Sequence, residues 1–136
     1  MKKFFLFVCL ITAIGAQAAQ QITVEQFINQ ADTENAYRLR GEVTSIASNY
    51  YGNFTLVDAT GSIYIYGMGT PGDFQTLGIE EGDTIIVEGT YTLYGGSKHE
   101  IVGAQYISHS KPTVYGFLYL SALANLSRAT MVNDIF

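Results

Sequence analysis

A period-two alternation of apolar and polar residues runs from about residue 36 to 108 of this chain and is interrupted by glycines. Ile63 and Ile65, for example, alternate with Tyr64 and Tyr66. Because successive side chains of a β-strand point to opposite faces, this pattern predicts half-buried strands rather than helices. The chain is therefore expected to be all-β with a small α content.

The alternation predicts five strands, separated by loops rich in glycine and other turn residues. They cover residues 36–46, 53–58, 62–66, 83–93 and 98–108. Gly41 lies inside the long first strand, where a glycine often marks the bend at a barrel corner. A helical turn at residues 74–77 falls between the third and fourth strands. This order of elements predicts a five-stranded Greek-key barrel of the OB-fold type.

A short helix is predicted before the barrel, over residues 20–30. Thr23 is suited to cap it, and Gln26 follows three residues later, as in a capping box. The helix and a polar connector together form a segment covering residues 19–35, and the barrel is assigned to residues 36–109.

The last segment, residues 110–136, begins at a strand-breaking proline, Pro112. Its apolar residues between 115 and 129 have a partly helical spacing, which favours a C-terminal helix packed on the barrel. A poorly ordered tail that exposes these residues is the alternative. The segment is too short and too polar to span a bilayer.

The first 18 residues have the three parts of a secretion signal. Lys2 and Lys3 form a basic start, residues 4–14 are almost entirely apolar, and residues 16–18 read Ala-Gln-Ala, a small-x-small cleavage pattern. A lipoprotein signal would have to use Cys9, which lies too early in the chain. We therefore expect export to the periplasm or the cell exterior, with cleavage after Ala18 and no membrane span in the mature chain.

Cleavage at this point changes the charge and the cysteine content. The whole chain has 7 basic and 12 acidic residues; without Lys2 and Lys3 the basic count falls to 5, so the charge becomes −7. Cys9 is the single cysteine, so the mature chain would hold no disulfide and no cysteine-based metal site. The remaining length suits one domain, which excludes a two-domain enzyme, and the acidic balance disfavours a polybasic clamp on nucleic acid.

Three motifs resemble those of bacterial exported OB-fold nucleic-acid-binding-like domain proteins. They are a Gly-x-Val strand at residues 41–43, a Phe-x-Leu-x-Asp-x-x-Gly hairpin at 54–61, and a Gly-Asp strand at 82–89 that ends in Val-Glu-Gly. The resemblance covers about residues 22–108. It implies an OB-fold barrel and leads us to expect an oligonucleotide-binding surface, although the motif residues themselves build the barrel rather than a site.

No catalytic constellation stands out. His99 and His109 lie ten positions apart with no third ligand, and Glu80, Glu81 and Asp83 lack the spacing of a calcium loop. The Asp-Ala-Thr-Gly run at residues 58–61 is explained by a tight turn. We therefore expect a protein that is not an enzyme and that uses no cofactor or metal.

Binding is better supported, because aromatic and cationic side chains are predicted on the outer face of the barrel and its loops. The candidate ligand-binding residues are Tyr64, Tyr66, Tyr50, Tyr51, Tyr94, Arg38, Arg40 and Lys98. Single-stranded nucleic acid is bound by rings that stack on bases and by cations that meet phosphates, with an affinity that falls steeply as salt rises. Another exported protein and a glycan are the alternative partners, since outward tyrosines also stabilise small sheets and the charge is acidic.

Overall fold

The computed structural model describes residues 17–30 and 32–113. Nearly all of the predicted signal peptide, and the predicted C-terminal helix, lie outside these residues. None of the helices described is long and apolar enough to cross a membrane.

Three antiparallel strands form the first part of the barrel: β1 (Tyr37–Ser48), β2 (Asn53–Val57) and β3 (Ser62–Met68). The first half of β1 pairs with a later strand and the second half pairs with β2, so β1 changes partner near Gly41 and Glu42. A side chain at Gly41 would come within 2.6 Å of both the Leu56 side chain and the Val57 carbonyl oxygen. Glycine is needed there because the two strands approach too closely for a Cβ atom.

The second part of the barrel comprises α2 (Asp73–Leu77), β4 (Thr84–Gly89), β5 (Thr92–Tyr94) and β6 (Lys98–Ser110). β4 pairs with β1 on one side and with β6 on the other, and β6 runs parallel to β3. This last pairing closes a five-stranded barrel in the order β1-β2-β3-β6-β4. The predicted all-β OB-fold barrel is confirmed.

The predicted fourth strand, residues 83–93, is two strands in the structure. The chain leaves the sheet after Gly89, at Thr90 and Tyr91, and β5 then pairs with β6 alone. Tyr91 is the physical reason, because its ring turns inward, is only 6% exposed and packs 5.8 Å from the ring of Phe27. The alternation of residues 83–93 hides this break because Tyr91 is itself a residue typical of strands.

The core lies inside the barrel and is filled by the inward face of each strand. Its fully buried larger side chains on β1, β2, β3, β4 and β6 are Leu39, Val43, Phe54, Leu56, Ile65, Met68, Ile85, Val87 and Ile101. Since Ile63 and Ile65 face this core, their neighbours Tyr64 and Tyr66 face outward.

Helix α1 (Val24–Gln30) covers one end of the barrel. Thr23 and Gln26 form the predicted capping box, in which the Gln26 N–H donates to the Thr23 hydroxyl (3.2 Å) and the Thr23 N–H donates to the Gln26 side chain (3.0 Å). The helix begins later than predicted because the preceding residues pair with β1: the Ile22 N–H donates to the Arg38 carbonyl, and the Arg38 N–H to that of Gln20.

Candidate ligand-binding groove

A groove of about 360 Å³ lies on the outer face of β3, β6 and β5. We call it the tyrosine groove. It is lined by Tyr64, Tyr66, Thr92, Tyr94, Lys98, Glu100 and Val102. β6 lies between the other two strands, so Glu100 sits in one row with Tyr64 on β3 and Thr92 on β5. The groove thus depends on the parallel pairing that closes the barrel.

The walls of the groove are aromatic. Tyr66 on β3 is 55% exposed, and Tyr94 on β5 is 67% exposed. Tyr94 is held opposite Lys98 by the β5–β6 hairpin, whose turn residues Gly95 and Gly96 both have positive φ, at 61° and 76°. Glycine adopts these angles without strain, so the turn can be tight. Two rings therefore face a ligand from opposite sides.

Lys98 supplies the cation that lines the groove. Its Nζ lies 3.7 Å from the centroid of the Tyr64 ring, within the range of a cation–π contact. One face of Tyr64 is therefore occupied by the protein itself. The rings left open for stacking are those of Tyr66 and Tyr94.

Glu100 is the residue of the groove that the sequence analysis missed. It is only 4% exposed, and among residues 17–30 and 32–113 no lysine, arginine or histidine nitrogen lies within 4.0 Å of its carboxylate. The signal was present in the sequence, because Lys98, Glu100 and Val102 alternate along one strand and must share a face. The groove thus combines one ammonium with one buried carboxylate.

A second cavity, of about 210 Å³, adjoins the tyrosine groove at Tyr66, which lines both. It is bordered by Tyr51 and Asn53 among others, and the Asn53 side-chain oxygen is buried without a hydrogen-bond partner in the part of the chain described. Tyr50 packs edge-on against Tyr51, with ring centroids 5.0 Å apart. Tyr51 and Tyr66 are thereby brought to one surface.

Arg38 and Arg40 lie apart from these cavities. Both belong to the half of β1 that pairs with β4, and neither lines the groove. The Arg38 guanidinium is bound to the Glu88 carboxylate at 3.0 Å, while Arg40 is exposed. Of the eight predicted residues, the structure therefore gathers Tyr64, Tyr66, Tyr94 and Lys98 in one groove, with Tyr51 beside it.

The remaining ionisable residues make structural contacts. The buried Asp83 accepts hydrogen bonds from the Lys111 ammonium (2.9 Å) and the Glu80 N–H (3.0 Å). Burial raises the pKa of the Asp83 carboxyl, but these two bonds outweigh it and hold that pKa below its ordinary value. His109 is hydrogen-bonded to the Tyr106 hydroxyl, at 2.8 Å. Within the described residues, no group of three or more His, Cys, Asp or Glu is arranged to hold a metal.

The barrel topology makes this chain an OB-fold protein. No protein-family model matches it, and no curated protein matches it. A putative aspartyl-tRNA synthetase from Leishmania major Friedlin is structurally similar, with a TM-score of 0.50 and 14% identity, over 76% of this chain and 23% of that one.

Two smaller proteins also match. The telomere capping protein Ten1 from Saccharomyces pombe has a TM-score of 0.47 at 13% identity, over 82% of this chain and 99% of its own. The hypothetical protein ygiW from E. coli has a TM-score of 0.42 at 16% identity, over 67% of this chain and 99% of its own. At these identities the likeness is one of fold alone.

Proposed function

We propose that the protein is an exported, non-enzymatic OB-fold module that binds single-stranded nucleic acid in the tyrosine groove. The observation that carries the proposal is the pair of exposed rings, Tyr66 and Tyr94, on opposite walls of a groove that also holds the Lys98 ammonium. Stacking of one base on an aromatic side chain contributes about 1–3 kcal/mol and works for every base. Such stacking supplies most of the affinity in this proposal.

The adjoining cavity extends the path that a strand would follow. Tyr66 borders both cavities, and Tyr51 lies at the far side of the second. A strand of several nucleotides would therefore meet aromatic rings along its length, as in other OB-fold surfaces that bind single strands.

The positions of the cations change the expected salt dependence. For single strands, the logarithm of the affinity falls with the logarithm of salt concentration by about 0.7 per phosphate contacted. Lys98 is the one cation that lines the groove, and Arg38 is already paired with Glu88. The dependence should therefore be shallow, with a slope near −0.7, rather than the steep one predicted from the sequence.

The test is a fluorescence anisotropy titration with labelled homopolymers of about 12 nucleotides at about 20 mM salt. Tyr94→Ala should lower the affinity roughly 5- to 100-fold, because one stacking ring is lost. Leu93→Ala is the matched control, since Leu93 is an exposed neighbour that does not line the groove. Flat titrations with all homopolymers, DNA and RNA alike, would contradict the proposal.

Cation variants provide an independent measurement. Lys98→Gln should bring the salt slope close to zero, whereas Arg40→Gln, which removes the same charge outside the groove, should leave the slope unchanged. Equal effects of the two variants would mean that net charge, and not the groove, attracts the strand.

Export is part of the proposal and has its own test. The protein should be recovered from the periplasmic or extracellular fraction with its N-terminus at Ala19. Recovery of the intact chain, with Met1 or Lys2 at its N-terminus, from the cytoplasm would contradict export.

A glycan is the second candidate ligand, and Glu100 is the observation that favours it. Sugar rings stack on tyrosines, and their hydroxyl groups donate hydrogen bonds to carboxylates. Binding of a neutral oligosaccharide would not change with salt, and this separates it from binding of a charged strand.

A further inference from the structure

Glu100 presents an unusual group to a ligand, a carboxylate that is almost completely buried and has no cation beside it. It lies between Tyr64 and Thr92 in the middle row of the groove. A charged group removed from water without a partner is unfavourable, so a ligand that donates a hydrogen bond to it gains more than one that does not.

The adjoining cavity presents a group of the same kind. The Asn53 side-chain oxygen is buried and accepts no hydrogen bond within the part of the chain described. Tyr66 lies between the two cavities, so a ring stacked on it has a hydrogen-bond acceptor on each side. Both unsatisfied groups therefore call for a ligand edge that carries N–H donors.

The bases differ in this property. Cytosine and adenine carry an exocyclic amino group, N4 or N6, whereas thymine and uracil carry the carbonyl oxygen O4 at the corresponding edge. An amino group can donate to the Glu100 carboxylate. A carbonyl oxygen would face it as a second acceptor, with repulsion and no hydrogen bond.

We propose that Glu100 makes the tyrosine groove select cytosine and adenine over thymine and uracil. The inference rests on the proposed nucleic-acid binding, and it adds the base preference and the residue responsible. A carboxylate that accepts from cytosine N4 is an established form of direct base recognition, and a good contact of this type discriminates by about 5- to 150-fold.

The experiment compares homopolymers of deoxycytidine, deoxyadenosine and thymidine under one salt condition. The wild-type protein should bind the first two at least roughly fivefold more tightly than the third. Glu100→Gln keeps the shape of the side chain but adds an amide donor, so the preference should fall to within about threefold. The control is Glu42→Gln, which removes the same charge at an exposed position of β1 and should leave the preference unchanged.

A ligand-side measurement does not depend on how the variant folds. A homopolymer of 2-pyrimidinone, which is cytosine with its amino group replaced by hydrogen, should bind wild-type protein as weakly as the thymidine homopolymer does. If it binds like cytosine, the amino group is not recognised and the inference is overturned.

The outcomes separate the two proposals. Absence of binding to every homopolymer overturns the proposed function itself. Equal binding of all three homopolymers, or a preference that Glu100→Gln leaves intact, overturns the role of Glu100 while nucleic-acid binding stands.

Discussion

Asp58 connects helix α1 to the turn between β2 and β3 with one carboxylate, and its removal provides a quantitative test of the fold. One oxygen accepts hydrogen bonds from the Thr60 N–H (2.8 Å), the Thr60 hydroxyl and the Gly61 N–H (3.0 Å). The other oxygen accepts from the N–H of Val24 (2.9 Å), the first residue of the helix. Asp58→Ala removes all of these bonds and leaves the turn and the helix start unconnected.

The size of the effect follows from where the donors lie. Val24 is fully buried, so its N–H cannot easily turn to water, and a hydrogen bond to a charged group contributes about 1.5–3 kcal/mol. Thr60 is exposed, so its donors can rebind water and add little. We expect Asp58→Ala to lower the free energy of unfolding by about 2–3 kcal/mol, which is roughly 10–20 °C in Tm for a domain of this size.

The effect should also depend on pH. Burial raises the pKa of Asp58, but hydrogen bonds from Thr60, Val24 and Gly61 outweigh it, so the pKa in the folded protein is below the ordinary value. The stability contribution is therefore fully present above the unfolded-state pKa, about 3.9, and is lost as the pH falls through the lower folded pKa. The difference between wild type and Asp58→Ala should shrink below about pH 4.

Urea unfolding followed by circular dichroism, at pH 7 and at a series of acidic pH values, measures both quantities. The control is Asp73→Ala, which removes a single exposed hydrogen bond from the Thr70 N–H and should change the stability by about 0.5 kcal/mol or less. If Asp58→Ala destabilises no more than this control, the reasoning about the shared carboxylate is refuted.

Two further variants test the barrel. Gly41→Ala places a Cβ 2.6 Å from the Val57 carbonyl oxygen and should lower the stability by about 1–3 kcal/mol or more, whereas Gly61→Ala meets nothing closer than 3.6 Å; similar unfolding midpoints for the two would contradict the close approach at the barrel corner. Lys111→Met removes the ammonium bound to the buried Asp83, so the pKa of Asp83 should rise and Tm at pH 7 should fall, with a difference that shrinks as the pH falls through the folded pKa; an unchanged carboxyl titration by NMR would refute this pairing.

Much of the fold could be predicted from local sequence because its signals are local. The alternation at Ile63 and Ile65 shows which side of β3 is buried, and the capping box at Thr23 and Gln26 shows where α1 begins more accurately than its apolar spacing does. The break at Tyr91 could not be predicted in this way, because only the position of Phe27 in the folded core shows why that ring turns inward.

The candidate site was less predictable because it is assembled from strands that are distant in sequence. Arg38 appears in the sequence as an outward cation, but its partner Glu88 belongs to a strand whose register no local pattern reveals. Glu100 appears as an ordinary surface residue of a strand, and its burial arises only when Tyr64 and Thr92 are paired on either side of it.

The parallel pairing of β3 with β6 has a consequence for the timing of folding. These strands meet only when a long intervening loop has closed, and contacts of large sequence separation form slowly because the loop entropy must be overcome first. Tyr64 and Glu100 belong to that seam, so the binding surface does not exist in partly folded chains. A ligand that spans β3, β6 and β5 therefore acts as a clamp across the seam, and the lifetime of the native state, set by the rate at which the barrel reopens, becomes longer when the groove is occupied.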